Sequence, residues 1–134
     1  MSQENVEAVR ASFELWREGR MGEWLETLAA DFEWDISAHP LPDFPNRGSG
    51  RDAFAGHMGD YASGWIDYEV SSKDVLDRGA DVVLVLHERA RMPDSDMTLD
   101  RDLPTVWTVR DRRSVRVRVF KTRAEALEAT RPSE

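Results

Sequence analysis

The sequence predicts an α+β fold whose sheet curls around helices and encloses a pocket. Helix-period patterning fills the first half of the chain and period-two patterning the second, as expected of segregated helices and strands. The segment PTVWTVRDRRSVRVRVF, Pro104 to Phe120, reads as two long strands joined by a short charged turn. In the second strand Val115, Val117 and Val119 take one face, and Arg116, Arg118 and Phe120 the other, as strand alternation requires.

The elements follow in order. Val6, Val9, Phe13 and Trp16 share one helix face, with Ser2 as N-cap, Glu4 at the positive helix start and Gly19 at the stop. Met21, Trp24, Leu25 and Leu28 mark a second helix, and Phe32–Ile36 a short strand leaving it. From His39 to Gly50 three prolines, Asp43, Asn46 and two glycines predict a loop. Phe54, His57, Met58 and Tyr61 return to helical spacing, although Gly56 and Gly59 weaken it. From Trp65 the period is two: Ile66, Tyr68 and Val70 alternate with Asp67, Glu69 and Ser71. A turn over Asp77–Ala80, containing Gly79, leads into the β-branched run Val82–Leu86 and predicts a hairpin. Met92–Met97 is the next turn, and Leu99, Leu103, Thr105, Trp107 and Val109 then share a strand face. Pro104 interrupts that face and requires an edge or a bulge. Arg123–Thr130 closes the chain as a short helix.

A length of 134 residues predicts one domain, residues 1–134, able to bury a core without staples. The excess of 26 acidic over 18 basic residues gives a net charge of −8, which disfavours nucleic acid and anionic membranes as partners. The absence of cysteine excludes disulfides and thiolate chemistry. A polar start, MSQENVEAVR, and the lack of a long apolar stretch predict a cytoplasmic protein.

Three segments, MSQENVEAVRASFELWREGRMGEWLETLAADFEWD, TVWTVRDRRSVRVRVF and TRAEALEAT, together resemble the nuclear transport factor 2-like superfamily, in particular its SnoaL-like branch. The resemblance covers nearly the whole chain and implies a cone, the cystatin-like α+β barrel. In that fold a strongly curved, mainly antiparallel sheet wraps three N-terminal helices, a short C-terminal helix follows, and a pocket opens at the wide end. It also implies a homodimer through the outer sheet face, which the valine stripe would supply. The superfamily holds ketosteroid isomerase, polyketide cyclases, epoxide hydrolase-like and dehydratase-like enzymes, and proteins without activity, so the site must decide function. Alignment with the ketosteroid isomerase pattern puts Ile36 at the carboxylate base, Ser12 at the oxyanion-binding tyrosine and Thr105 at the protonated acid. All three positions lack the required chemistry, which argues against that reaction.

The catalytic candidates are His87 and Asp35. Asp35 beside Trp34 would act as an acid or base if a bulge turned it inward; alternation with Trp34 and Ile36 favours a solvated or ion-paired carboxylate instead. His87 and Arg89, two apart on one strand face, would bind an anionic or enolate-like group, or else form a polar rim. Thr105 with Trp107, and Arg118 with Phe120, take the faces that the family pattern turns inward. Arg118 would hold a carboxylate or stack on a ring, its alternative being a structural salt bridge to Asp35, Glu69 or Glu88. Trp16, Trp34, Phe54, Met58 and Trp65 would line the pocket or simply form core. His39, His57 and His87 have no ligand-type spacing, and no glycine-rich phosphate loop occurs, so neither metal nor cofactor is expected. The expected function is a pocket for a small hydrophobic or aromatic molecule, with cofactor-independent acid–base chemistry as the enzyme class: isomerase, cyclase, dehydratase or hydrolase. The alternatives are a non-catalytic ligand-binding or dimerisation module with a vestigial pocket, and a protein-interaction domain.

Overall fold

Alternation and helical spacing translate into ten elements: α1 (Ser2–Arg17), α2 (Met21–Glu26), β1 (Leu28–Asp35), β2 (Arg47–Ser49), α3 (Arg51–Ser63), β3 (Ile66–Arg78), β4 (Asp81–Arg91), β5 (Thr98–Arg110), β6 (Arg113–Val119) and α4 (Arg123–Ala129). The computed structural model describes residues 2–40, 44–93 and 96–131. The side chain of Ser2, expected to cap α1, and Pro42, Asp43, Asp94 and Ser95 of the predicted loops lie outside the described residues. None of the described helices is long and apolar enough to cross a membrane.

The six strands form one mixed sheet in the order β2-β1-β6-β5-β4-β3; every pair is antiparallel except β1 with β6. Three-residue β2 lies inside the segment predicted as loop. It pairs Gly48 with Trp34, whose indole occupies the place of a glycine side chain: a Cβ on Gly48 would stand 2.2 Å from Trp34 Cζ2. So short a strand has no alternation to read, and its marker is the glycine beneath the ring.

Pro104 interrupts nothing. The β4–β5 ladder runs from Asp81↔Thr108 to Arg91↔Thr98 without a register shift. The Pro104 carbonyl accepts from Phe120 N at 2.9 Å, so its own nitrogen points to the β6 side, just past the final pair Thr105↔Val119. The one ladder donor that proline lacks therefore falls opposite Phe120, at the very end of the β5–β6 pairing, where its loss is tolerated.

The bulge lies instead on β6. Thr108 pairs with Arg116 and Val109 with Ser114, which leaves Val115 as the extra residue. Strand parity reverses at that point. Ser114, Val117 and Val119 face the helices, while Arg116 and Arg118 face outward. The expectation that Val115, Val117 and Val119 form one exposed outer stripe is thereby corrected, as is the inward placement of Arg118 and Phe120. Arg118 lies 3.7 Å from Asp81, and Phe120 packs in the outer cluster with Val83, Val85 and Val106 beneath Ala126 of α4. Thr122 caps α4 by accepting from Glu125 N.

The concave face carries the remaining core. Val6, Val9 and Phe13 of α1 pack on Val82, Leu84 and Val109. Trp24 of α2 and Phe54 of α3 pack on Leu28, Phe32 and Trp34 of β1, with Phe32 fully buried. Replacing Gly48 by Ala should destabilise the fold by about 1–3 kcal/mol, because backbone or indole must move to admit the methyl. Urea unfolding of Gly48→Ala checks this, and an unchanged midpoint would contradict the packing of Trp34 on β2.

Candidate functional site

Between the concave face and the helices lies a chamber of about 90 Å³. Trp16 (α1), Trp24 (α2), Phe54 and Met58 (α3), and Leu84, Leu86, Leu103 and Trp107 (β4 and β5) supply its apolar walls. Three polar side chains of these walls are internally paired. Ser12 Oγ meets Thr27 Oγ1 at 2.6 Å, Thr105 Oγ1 donates to Leu84 O at 2.6 Å, and Trp107 Nε1 donates to Thr105 Oγ1 at 2.9 Å.

One corner is different. Glu88 continues the inward face of Val82, Leu84 and Leu86, and it is only 2% exposed. Burial of a carboxylate demands partners, and three converge on it. Tyr68 Oη of β3 donates at 2.5 Å, Tyr61 Oη of α3 at 3.2 Å, and Arg101 Nε, directly across the β4–β5 ladder, at 3.0 Å. Arg101 Nη2 also donates to Tyr61 Oη at 3.3 Å. Burial, reinforced by the Glu88 charge, pushes both tyrosine hydroxyls well above the ordinary phenol value, so they stay protonated donors.

His39, from the loop after β1, completes the corner. Its Nε2 is buried without a partner. Burial, helped by the Arg101 charge, lowers the imidazole below its ordinary value, and a hydrogen bond to the Phe120 backbone only partly opposes this. With Nε2 unpartnered, the Phe120 bond falls by elimination to Nδ1, and a neutral ring that donates there carries its lone pair on Nε2.

The residues singled out in the sequence divide three ways. Trp16, Phe54, Met58, Thr105 and Trp107 line the chamber. Trp34 is buried one layer behind, between Phe44, Phe54 and His57, with its Nε1 donating to Pro45 O. Trp65 packs edge-on against Tyr61. The polar candidates stand elsewhere. Asp35 accepts from Ser37 N and Arg47 Nε, and these partners, Ser37 foremost, hold its carboxyl below the ordinary value rather than above it. His87 is on the convex face, its Nδ1 2.7 Å from Asp102 and its Nε2 2.8 Å from Asp100, so both ring nitrogens are engaged. His87 and Arg89 border an open groove of about 640 Å³ along the β3 edge, separated from the chamber by the shared walls Trp16, Tyr68 and Val70. The structure therefore does not bring His87, Asp35, Arg89 and Arg118 to one point.

Glu88, Arg101, Tyr61, Tyr68 and His39 form the polar corner that sequence reasoning passed over as a site. The parity Val82–Leu84–Leu86–Glu88, and Arg101 in step with Leu103, Thr105 and Trp107, was the available signal. It was masked because the VVLVL run is buried on both faces. His39 sits in a loop, where spacing carries no information.

A curved sheet wrapped around helices is the fold of the nuclear transport factor 2-like proteins among solved structures. The SnoaL-like domain profile matches residues 9–117, and the chain belongs to that family. Among solved structures, a nuclear transport factor 2-like protein from Burkholderia xenovorans LB400 is 24% identical, with 97% of this chain and 98% of that one covered at a TM-score of 0.72. A candidate SnoaL-like polyketide cyclase from Jannaschia sp. CCS1 is 20% identical, with 99% and 96% covered at 0.75. TerC, co-crystallised with polyporic acid, is 17% identical, with 96% and 99% covered at 0.73. At these identities the likeness concerns the fold. No curated protein sequence matches the chain.

Arg101→Met leaves Glu88 buried without its cation and should cost about 3–5 kcal/mol. The double variant Glu88→Gln with Arg101→Met should cost clearly less, because the amide still accepts from Tyr68 and no charge is stranded. Additive losses in chemical denaturation would contradict the pairing. His39 titrates lower in the folded chain than its ordinary 6.5, so the unfolded chain takes up the proton first as pH falls. Wild type should therefore lose stability relative to His39→Leu on acidification from about pH 7.5 to about pH 5.5. A constant difference in unfolding free energy would show that His39 is not held neutral.

Proposed function

We propose that this protein binds a small hydrophobic or aromatic molecule in the chamber and performs cofactor-independent acid–base chemistry on it. His39 is the base. The observation that carries the reading is the buried, unpartnered Nε2 of His39, a residue that lines the mostly apolar chamber together with Arg101 and Tyr61. A base needs an accessible lone pair on a group uncharged at working pH, and burial next to a cation supplies it. Negative charge left on the substrate would be offset by the imidazolium that His39 becomes on taking the proton, while Arg101 and Tyr61 stay on Glu88. SnoaL-like family membership supports a pocket for small molecules, and the described neighbours include a candidate polyketide cyclase.

The chamber volume bounds the substrate. About 90 Å³ is below the ~150 Å³ of an engineered cavity that takes up benzene, so a ring requires side chains to shift. Trp16 and Tyr68, which face both chamber and groove, are placed to make room. The test is a panel of one-ring hydroxy and keto compounds followed by proton NMR in deuterated water. Wild type should exchange or convert at least one of them, and His39→Gln should slow this by about 10²–10⁴-fold while binding persists. Binding without any His39-dependent chemistry would leave a ligand-binding module in place of an enzyme.

A further inference from the structure

Among the buried side-chain polar atoms of the polar corner, one is left without a partner. Glu88 accepts from Tyr61, Tyr68 and Arg101, and Arg101 is neutralised by Glu88 at 3.0 Å. Thr105, Trp107 and Ser12 are paired within the walls. Among the lining residues described, the buried side-chain polar atom left without a partner is His39 Nε2, an acceptor. The resting chamber thus offers a lone pair to a ligand and no free cation.

We infer that the ligand is a neutral hydroxyaromatic molecule, its hydroxyl donating to His39 Nε2 and its ring lying among Trp16, Phe54, Met58 and Trp107. This rests on the proposed pocket function and deepens it by naming the ligand class. A carboxylate is disfavoured on two counts. It has no donor for Nε2, and it places a second negative charge beside the buried Glu88, whose cation is already taken. An unsubstituted ring leaves Nε2 desolvated and unpaired, whereas a hydroxyl satisfies it. A carbonyl oxygen faces the same difficulty, acceptor against acceptor. The walls match a ring in kind: four aromatic or thioether side chains that pack on flat apolar surfaces.

Phenol and toluene, nearly equal in shape, separate the hydroxyl from the ring, and the larger benzoate adds a carboxylate. Their affinities at neutral pH are read from the fluorescence of the chamber tryptophans, with calorimetry as the second readout. Phenol should bind about tenfold or more tightly than toluene, and benzoate should bind more weakly than either. In His39→Leu the preference of phenol over toluene should vanish while toluene affinity is kept or raised. Retained toluene binding also shows that the variant is folded. If toluene binds wild type but phenol binds no better, or benzoate binds best, the hydroxyl inference is wrong and the pocket reading stands. If none of the three binds, the pocket reading itself falls.

Discussion

The carboxylate of Glu88 is the constraint on which the interior depends. A charged group at 2% exposure cannot be left to the apolar chamber that surrounds it. Its partners come from three different elements: Tyr61 from α3, Tyr68 from edge strand β3 and Arg101 from β5. Satisfying one side chain therefore ties the third helix and the edge of the sheet to its centre. Such a pair adds little net stability compared with apolar packing, but breaking it is costly, so it specifies one arrangement of these elements. It also closes the chamber with a polar end instead of a hydrophobic one.

That closure sets the chemistry around it. Glu88 pairs with Arg101, and at half-buried His39 desolvation and the Arg101 charge outweigh the Phe120 backbone bond and the Glu88 charge that favour the imidazolium. The outer face shows the contrasting arrangement. There His87 lies between Asp100 and Asp102, with Lys73 also on Asp102, in a solvent-exposed network that consumes both ring nitrogens. The same residue type is a free acceptor inside and a fully engaged partner outside, and the difference is which strand face, or which loop, carries it.

Much of the fold was legible in the sequence. Spacing located the four described helices, although Leu28, read into the second, opens β1 instead, and Gly79 marked the β3–β4 turn, where its φ of 83° suits the first position of a two-residue hairpin loop. What spacing could not carry was parity. The RSVRVRV alternation is regular in sequence, yet the bulge at Val115 breaks it, so Val117 and Val119 turn in while Arg116 and Arg118 turn out. A bulge depends on the register of the partner strand, and no local pattern encodes it. The site followed the same logic. Chamber-lining aromatics at helical positions were legible, while His39 in an irregular loop and Glu88 at the end of a doubly buried run were not. The polar residues that stood out in the sequence, His87, Asp35 and Arg118, are held outside the chamber in ion pairs with Asp100 and Asp102, Arg47, and Asp81.

The protonation of His39 in the folded protein is the most direct test of this picture. Long-range nitrogen–proton correlation NMR on uniformly ¹⁵N-labelled protein at neutral pH distinguishes the two tautomers and the imidazolium. The expected spectrum has His39 Nδ1 protonated and Nε2 bare, with Nε2 responding when a hydroxyl ligand enters the chamber. A proton on Nε2, in either the other tautomer or the charged ring, would mean that the chamber presents a donor, and both the base and the ligand class assigned to it would be wrong.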